Sequence, residues 1–330
     1  MKVFDLDPSA LRSTFAEQGW LHVPHGLSEE FLAYAQEHVA RLATGTDPIT
    51  GAAIAGAKTQ FVLPFPEGMD VRAEVHDVIA ALTGLDPART VLSERHVKAY
   101  LPDADPAPLA HKDRYASQVS VGLTLHVGEG SHVVLWPRDE TDVNPHLTTG
   151  LRDSLLPEQA PEALLDDSTA VMLHEAPGDV LVFSGSRTWH LRRRSASTTL
   201  VYLKFNDFGS DPLGEDPSTP ARRARTQELL AGRDLDGCAV ELARGFDCVA
   251  QESGWQPGRR TFSASVWADG ARSTRSLPEA WVALVERAGD GADLAAWARD
   301  GVGGLTGDAV RAGVRELAAR GVLDLVPAQA

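Results

Sequence analysis

The sequence predicts a mainly β fold with flanking helices, in the form of a double-stranded β-helix of the jelly-roll or cupin kind followed by a small C-terminal helical module. Two observations predict the β-helix. Short apolar runs bounded by glycine and proline recur between residues 91 and 205. Two of these runs lie close to His111 and His190, which are 79 positions apart. A third observation predicts the module. Beyond residue 208 a segment rich in proline and glycine gives way to helical periodicity.

Helices are expected to precede the strands. Residues 8–18 form a short helical pattern that ends at Gly19, and residues 20–24 are typical of an edge strand closed by proline. A longer amphipathic helix follows from Ser28, whose hydroxyl is suited to cap it, and another covers residues 70–84. These helices supply apolar faces that can cover one side of a sheet.

The strands of the predicted β-helix follow in order. Residues 91–101 form a strand pattern that prolines at 102, 106 and 108 interrupt, so that a loop leads to His111. Two strands joined at Gly128-Glu129-Gly130 form a predicted hairpin. A long polar insertion follows at residues 138–167, after which strands resume at 169–173 and 180–183. An insertion of this length in a compact barrel is often a lid or a substrate-binding element.

A metal site is predicted from three residues in these strands. If His111 and Asp113 lie on one strand, their side chains share a face, because neighbours two residues apart point the same way. His190 follows a turn and an apolar strand, 77 residues after Asp113. Two histidines and one carboxylate form the facial triad of non-haem Fe(II) enzymes. His126 and His132 are rival candidates, but neither has an acid two residues later.

The chain resembles the phytanoyl-CoA dioxygenase family of iron(II)/2-oxoglutarate oxygenases. The resemblance lies in His111-Lys112-Asp113-Arg114-Tyr115, in Gly128-Glu129-Gly130-Ser131-His132, and in the segment from Pro177-Gly178-Asp179 to His190. It covers roughly residues 11–208.

This resemblance implies His111, Asp113 and His190 as ligands of Fe(II), with 2-oxoglutarate as co-substrate and O2 as oxidant. It also implies hydroxylation or desaturation of a small molecule, for which an amino acid or a natural-product intermediate is the expected class.

The sequence departs from the family at the expected 2-oxoglutarate anchor. Relatives usually place an arginine about ten residues after the distal histidine, but residues 197–202 contain no basic side chain. A buried carboxylate requires a cationic partner. Arg192 and Lys204 are therefore the first candidates to bind the far carboxylate of 2-oxoglutarate, and Lys98 is the third.

Two other functions remain open. The same ligands could serve a cupin-type metalloenzyme that does not use 2-oxoglutarate, and succinate production distinguishes that case. A non-catalytic jelly roll that only binds a ligand is the second alternative, for which metal affinity without oxygen uptake is expected.

Composition limits the partners. The net charge of −15 argues against a nucleic-acid surface, because phosphate binding depends on lysine and arginine. Two cysteines, Cys238 and Cys248, exclude a disulfide framework and favour a reducing, cytoplasmic setting. The sequence contains no apolar run of about 18 residues, so no membrane span is expected.

Three regions are predicted: an oxygenase domain over residues 1–208, a linker and helical segment over 209–270, and a helical, winged-helix-like module over 271–330. Helices are expected within residues 221–250. The predicted role of the last module is to form a homodimer or to bind a carrier protein or peptide, because its seven basic and eight acidic residues do not make a basic face for DNA.

Overall fold

The chain forms two compact units in a computed structural model, residues 1–208 and 209–330. The structure describes all residues except 44–51, 55–56, 107, 138–143, 145–150, 233–234, 236, 254–259, 269–270, 290–291 and 328–330. Each unit has its own hydrophobic core.

The first unit contains ten strands and four α-helices among the described residues. The helices are α1 (Pro8–Gln18), α2 (Glu29–Ala43), α3 (Asp77–Thr83) and α4 (Pro161–Leu164). The strands are β1 (Trp20–Val23), β2 (Ala52–Ile54), β3 (Lys58–Val62), β4 (Val91–Tyr100), β5 (Val119–His126), β6 (His132–Trp136), β7 (Val171–Leu173), β8 (Val180–Phe183), β9 (Trp189–Arg193) and β10 (Thr199–Asn206). A π-helical turn, Arg72–His76, leads into α3.

Seven strands form one antiparallel sheet in the order β1-β8-β5-β10-β4-β3-β2. Alternation along these strands separates two faces. The outer face carries residues such as Val121, Val182 and Val201, which pack with Phe31 of α2 and Ile79 of α3 in the largest core cluster. The helices predicted before the strands therefore cover one side of this sheet.

Three strands form a second antiparallel sheet, in the order β7-β6-β9. Its inner residues, Val133, Leu135 and Leu173, pack against Leu181 and Phe183 of the large sheet. Two antiparallel sheets packed in this way form a sandwich, and the predicted jelly-roll architecture with flanking helices is confirmed.

The polar insertion before β7 packs on the other side of the small sheet. Leu151, Leu155 and Leu165 contact a cluster that includes Trp136 and Trp189. The predicted lid role of the insertion includes residues 138–143 and 145–150, which lie outside the described residues.

The second unit combines helices with two small sheets. Its helices are α5 (Ser218–Ala231), α6 (Glu279–Ala288), α7 (Leu294–Asp300) and α8 (Gly307–Ala319). Its strands are β11 (Cys238–Leu242), β12 (Phe246–Ser253), β13 (Arg260–Ala268), β14 (Ala271–Leu277), β15 (Ala292–Asp293) and β16 (Leu323–Pro327), paired in the orders β15-β11-β16 and β12-β13-β14.

The expectation of helices across residues 221–250 is wrong beyond α5. Residues 238–242 and 246–253 are strands, because each finds an antiparallel partner, β16 for the first and β13 for the second. The predicted division after residue 270 falls within the hairpin of β13 and β14. The winged-helix interpretation of the last helices stays a prediction.

Among the described residues, no helix combines the length and the apolar character needed to cross a bilayer.

Candidate metal centre

The two predicted histidines are brought together by backbone pairing. His111 and His190 exchange two backbone hydrogen bonds of 2.9 Å each, which form an isolated antiparallel bridge beside β9. The backbone N–H of Asp113 donates to the carbonyl of Gly185 at 3.0 Å. One ligand atom from each of His111, Asp113 and His190 lies within 4.8 Å of the others. The structure thus places the three predicted ligands in one cluster.

The ring of His190 is oriented for metal binding. Its Nδ1 lies 2.9 Å from the carbonyl oxygen of Thr188, which can only accept a hydrogen bond. Nδ1 therefore carries the proton and Nε2 keeps its lone pair. Nε2 faces the other two candidate ligands and lies 3.8 Å from Oδ2 of Asp113. A backbone carbonyl that fixes the tautomer in this way is a common support for a histidine ligand.

Asp113 is almost fully buried and is held at both carboxylate oxygens. Ser120 Oγ donates to Oδ2 at 2.6 Å, and Lys204 Nζ donates to Oδ1 at 2.6 Å. Burial raises the pKa of Asp113, but its charged neighbours, Lys204 first among them, together lower it by more, so the net pKa lies below its ordinary value. The carboxylate is therefore ionised at neutral pH.

Both histidines are neutral in this environment. Burial, reinforced by the neighbouring His190, lowers the pKa of His111 to about 3, and burial also lowers the pKa of His190. Metal ligation requires neutral imidazole and ionised carboxylate. The donor set and its protonation state therefore fit a divalent iron ion.

Gly185 makes room for the carboxylate. A Cβ at this position would lie 2.1 Å from Ser120 Oγ, 2.8 Å from Asp113 Oδ2 and 2.9 Å from the carbonyl of Ser117. Contacts this short do not occur in proteins, so a larger residue would displace the ligand or its hydrogen-bond donor.

A cavity of about 60 Å³ adjoins the cluster inside the sandwich. Its polar wall comes from side chains that alternate along the inner face of the large sheet. The lining residues are Lys58, Lys98, Tyr100, His111, Asp113, Val133, Phe183, His190, Leu191, Arg192, Tyr202 and Lys204. Small-molecule pockets usually measure roughly 300–1,000 Å³. The flexible lysine ends must therefore move when a ligand enters.

All three predicted anchor cations line this cavity, but their ion pairs differ. Arg192 donates to Glu175 at 2.5 Å, with both side chains nearly inaccessible. Lys204 pairs with Asp113. Lys98 lies farther from its carboxylate, 3.5 Å from Glu94 Oε1, and 4.8 Å from the centre of the Tyr202 ring.

Sequence reasoning missed Glu94, Lys58 and Ser120. Glu94 is buried and interacts with Lys98, Lys204 and Arg114, so its pKa lies well below the ordinary value although burial raises it. A signal was present: Glu94, His96, Lys98 and Tyr100 alternate along β4, a spacing that places four polar side chains on one strand face.

The rival histidines lie elsewhere. The side chain of His126 is exposed at the end of β5. His132 Nδ1 lies 2.9 Å from the carbonyl of Gly130, and its ring centre is 4.9 Å from that of His174. Neither belongs to the three-residue cluster.

No family model and no curated protein matches the chain. Solved structures are similar over about three fifths of its length. SnoN, a non-haem α-ketoglutarate-dependent epimerase of nogalamycin biosynthesis, shares 17% identity with a TM-score of 0.45, over 61% of this chain and 82% of SnoN. EvdO2 from Micromonospora carbonacea var. aurantiaca shares 19% identity with a TM-score of 0.44, over 62% and 92%. A prolyl-4-hydroxylase from Pseudomonas putida shares 17% with a TM-score of 0.40, over 61% and 99%. Likeness this distant assigns no activity to the chain.

Proposed function

We propose that this protein is a non-haem iron(II)/2-oxoglutarate-dependent oxygenase that hydroxylates or desaturates a small molecule. The observation that carries the proposal is the cluster of His111, Asp113 and His190, in which one ionised carboxylate and two neutral imidazoles converge inside a β-sandwich. If the cluster held an iron ion, its three ligands would leave coordination positions for a bidentate co-substrate and oxygen. The family resemblance of the ligand segments supports the same chemistry.

We propose Lys98 as the first partner of the far carboxylate of 2-oxoglutarate, with Lys204 and Arg192 as its alternatives. The argument rests on strand register. Leu200 lies ten residues after His190, where relatives usually carry arginine, and Leu200 is the cross-strand partner of Lys98. Cross-strand partners point to the same face of an antiparallel sheet. Lys98 therefore brings an ammonium group to the place where the usual cation is missing.

The chain's own residues have distinct tasks in this mechanism. His111, Asp113 and His190 would hold iron(II), which when bound would supply the oxygen activation that couples oxidation of 2-oxoglutarate to succinate and CO2 with oxidation of the substrate. Thr188 fixes the tautomer of His190, and Ser120 orients Asp113. Lys98 neutralises the far carboxylate of the co-substrate, and the apolar walls formed by Phe183 and Val133 limit the entry of water.

The test compares the unmodified protein with His111→Ala and with a control, His126→Ala. We expect Fe(II)-dependent conversion of 2-oxoglutarate to succinate in the presence of amino acids and other small acids, with loss of at least 100-fold in His111→Ala and little change in the control. Mn(II) binding by calorimetry gives a readout that is independent of turnover.

The two alternatives have different outcomes. Oxygen uptake and product formation without succinate would indicate a cupin-type metalloenzyme. Metal binding with neither oxygen uptake nor succinate would indicate a ligand-binding jelly roll. The predicted dimerisation or partner binding of the C-terminal module is a separate proposal, and sedimentation of the full chain tests it.

A further inference from the structure

Lysine is rare in this chain and is concentrated at the candidate site. The sequence has five lysines among its 31 basic residues. Three of them, Lys58, Lys98 and Lys204, line the cavity beside the metal cluster. Of the other two, Lys112 is buried with its Nζ 5.2 Å from the centre of the Trp189 ring, and Lys2 is exposed. The cavity thus contains three of the five lysines in the protein.

The cavity and its ion-pair network carry more positive than negative charge. Five cationic side chains belong to them, and they face three carboxylates: Lys58, Lys98, Lys204, Arg114 and Arg192 against Glu94, Asp113 and Glu175. A divalent metal and dianionic 2-oxoglutarate would cancel each other. These eight side chains therefore keep an excess of two positive charges, and excess charge inside a protein is costly unless an anion compensates for it.

Lys58 is the cation that lacks a carboxylate partner. In the part of the chain that the structure describes, no acidic oxygen lies within ion-pair distance of its Nζ, whereas Lys204 is 2.6 Å from Asp113 and Lys98 is 3.5 Å from Glu94. The Nζ of Lys58 lies 5.6 Å from the centre of the Tyr100 ring. Tyr100 is its cross-strand partner, so both point to the inner face.

The electrostatic surroundings of Lys58 agree with this position. Burial, together with Lys98 and Lys204, lowers the pKa of Lys58 to about 8, while Glu94 and Asp113 oppose the shift. The ammonium form still predominates at pH 7. A nearby anion would relieve the repulsion between the lysines.

We propose that the oxidised substrate carries an anionic group, a carboxylate or a phosphate, and that Lys58 binds it. This inference rests on the proposed function and adds the substrate class and a specificity-determining residue. Lys98 is proposed to bind the co-substrate, because its cross-strand partner Leu200 occupies the position of the usual arginine. Lys58 lies one strand farther along the sheet, on β3.

Selective labelling makes the inference directly testable. Protein labelled with 13C at the lysine Cε gives five signals, which single substitutions assign. With Zn(II) bound, 2-oxoglutarate should shift the Lys98 signal. Inorganic phosphate, added at saturating 2-oxoglutarate, should then shift the Lys58 signal with a saturable dependence on concentration, while the signal of Lys2, the exposed control, stays unchanged.

Two variants complete the test. Phosphate affinity, measured by calorimetry on the same Zn(II) and 2-oxoglutarate complex, should fall at least tenfold in Lys58→Gln and recover in Lys58→Arg. The inference is overturned if phosphate leaves the Lys58 signal unchanged. It is also overturned if Lys58→Gln weakens 2-oxoglutarate binding tenfold, since Lys58 would then bind the co-substrate.

A turnover measurement addresses the substrate class itself. Each candidate carboxylic acid is compared with its neutral amide for stimulation of succinate release. Only the acids should stimulate it. Stimulation by the amides alone would contradict the inference. Failure of the oxygenase proposal has a different signature, because the Lys98 signal would not respond to 2-oxoglutarate while the Lys58 signal could still respond to phosphate.

Discussion

Asp113 is held in place through both its backbone and its carboxylate. Its backbone is fixed at both polar groups: the N–H donates to Gly185, and the carbonyl accepts from the side chain of Asn144 at 2.9 Å. Its carboxylate accepts from Ser120 and Lys204. The two hydrogen bonds to the carboxylate compensate for the desolvation of a charge that is only 4% exposed, and the two backbone hydrogen bonds fix its position. The ligand is therefore oriented before any metal arrives.

The orientation of Asp113 can be tested through Ser120. Ser120→Ala removes one donor to Oδ2 and should lower Mn(II) affinity about 10-fold, because outer partners of ligands typically contribute 10–100-fold. The control is Ser265→Ala, a buried serine in the second unit. Equal affinity of both variants would show that Lys204 and the backbone suffice to hold the carboxylate.

Gly185→Ala provides a steric test at the same residue. The added methyl group would overlap Ser120 Oγ and approach Asp113 Oδ2, so we expect loss of metal binding and a lower free energy of unfolding. Gly237→Ala is the matched control, because nothing lies within 4 Å of a Cβ there. Retention of full metal affinity in Gly185→Ala would mean that Asp113 is not a ligand in the observed position.

The charge of Lys58 predicts a dependence on pH. A lysine is charged below its pKa, which for Lys58 is lowered to about 8 by burial, Lys98 and Lys204 against the opposing effect of Glu94 and Asp113. Phosphate binding measured by calorimetry should therefore weaken as the pH rises from 7 to 9, although phosphate itself stays anionic. Lys58→Arg, which stays charged, should lose this dependence. A pH profile that is the same in both proteins would contradict the assignment.

At the scale of elements, sequence spacing identified the three candidate ligands, but not for the reason expected. His111 forms only an isolated bridge and Asp113 lies outside the strands, so backbone hydrogen bonds to His190 and Gly185, rather than alternation along one strand, bring the ligands together. The partners of these residues were not predictable, because they depend on register. Lys204 pairs with Glu94 and with Ser120 across two different strands, β4 and β5, and no local pattern encodes that alignment.

The pairing of Lys98 on β4 with Leu200 on β10 predicts that the lysine can be moved from one strand to the other without loss of its function. Lys98→Leu should weaken 2-oxoglutarate binding to the Zn(II) protein at least tenfold, because the ammonium group is lost. Adding Leu200→Lys to this variant swaps the two cross-strand partners and conserves their total volume, so the affinity should largely return. Calorimetry measures both changes. If Lys98→Leu binds normally, Arg192→Leu is the next variant to test.

The second unit shows where composition misled the prediction. Residues 238–253 include three alanines, two glutamates and a leucine, which favour helix, yet most of them form β11 and β12. In β11, Cys238 and Val240 are buried whereas Ala239 and Glu241 are less so, a period of two that outweighs helix propensity once β16 and β15 offer edges. Alternation over five residues is too short to be decisive in a sequence alone.

At the scale of the whole molecule, the candidate chemistry lies entirely in one unit. Every proposed ligand and cavity residue lies within residues 1–208, whose cores are separate from the cluster of the second unit that includes Leu284, Trp297 and Leu317. The linker composition located the start of the second unit near residue 209, but the sequence did not show that residues 209–330 form one unit, because the pairing of β13 with β14 across residue 270 depends on register.

Two separate cores predict two unfolding transitions in calorimetry of the full chain. A ligand that binds only the folded state stabilises it by RT ln(1 + [L]/Kd), about 2.7 kcal/mol at a hundredfold excess over Kd. Mn(II) should therefore raise the melting temperature of the first unit alone.

Leu317→Ala identifies the other transition. Leu317 is fully buried in α8, and such a substitution typically costs about 2–5 kcal/mol, so it should lower the transition that Mn(II) leaves unchanged. In the same protein, His190→Ala should abolish the Mn(II) response without moving the second transition. A single transition that responds to both Mn(II) and Leu317→Ala would show instead that the two units unfold cooperatively, and that residues 209–330 contribute to the stability of the metal site although they supply none of its proposed ligands.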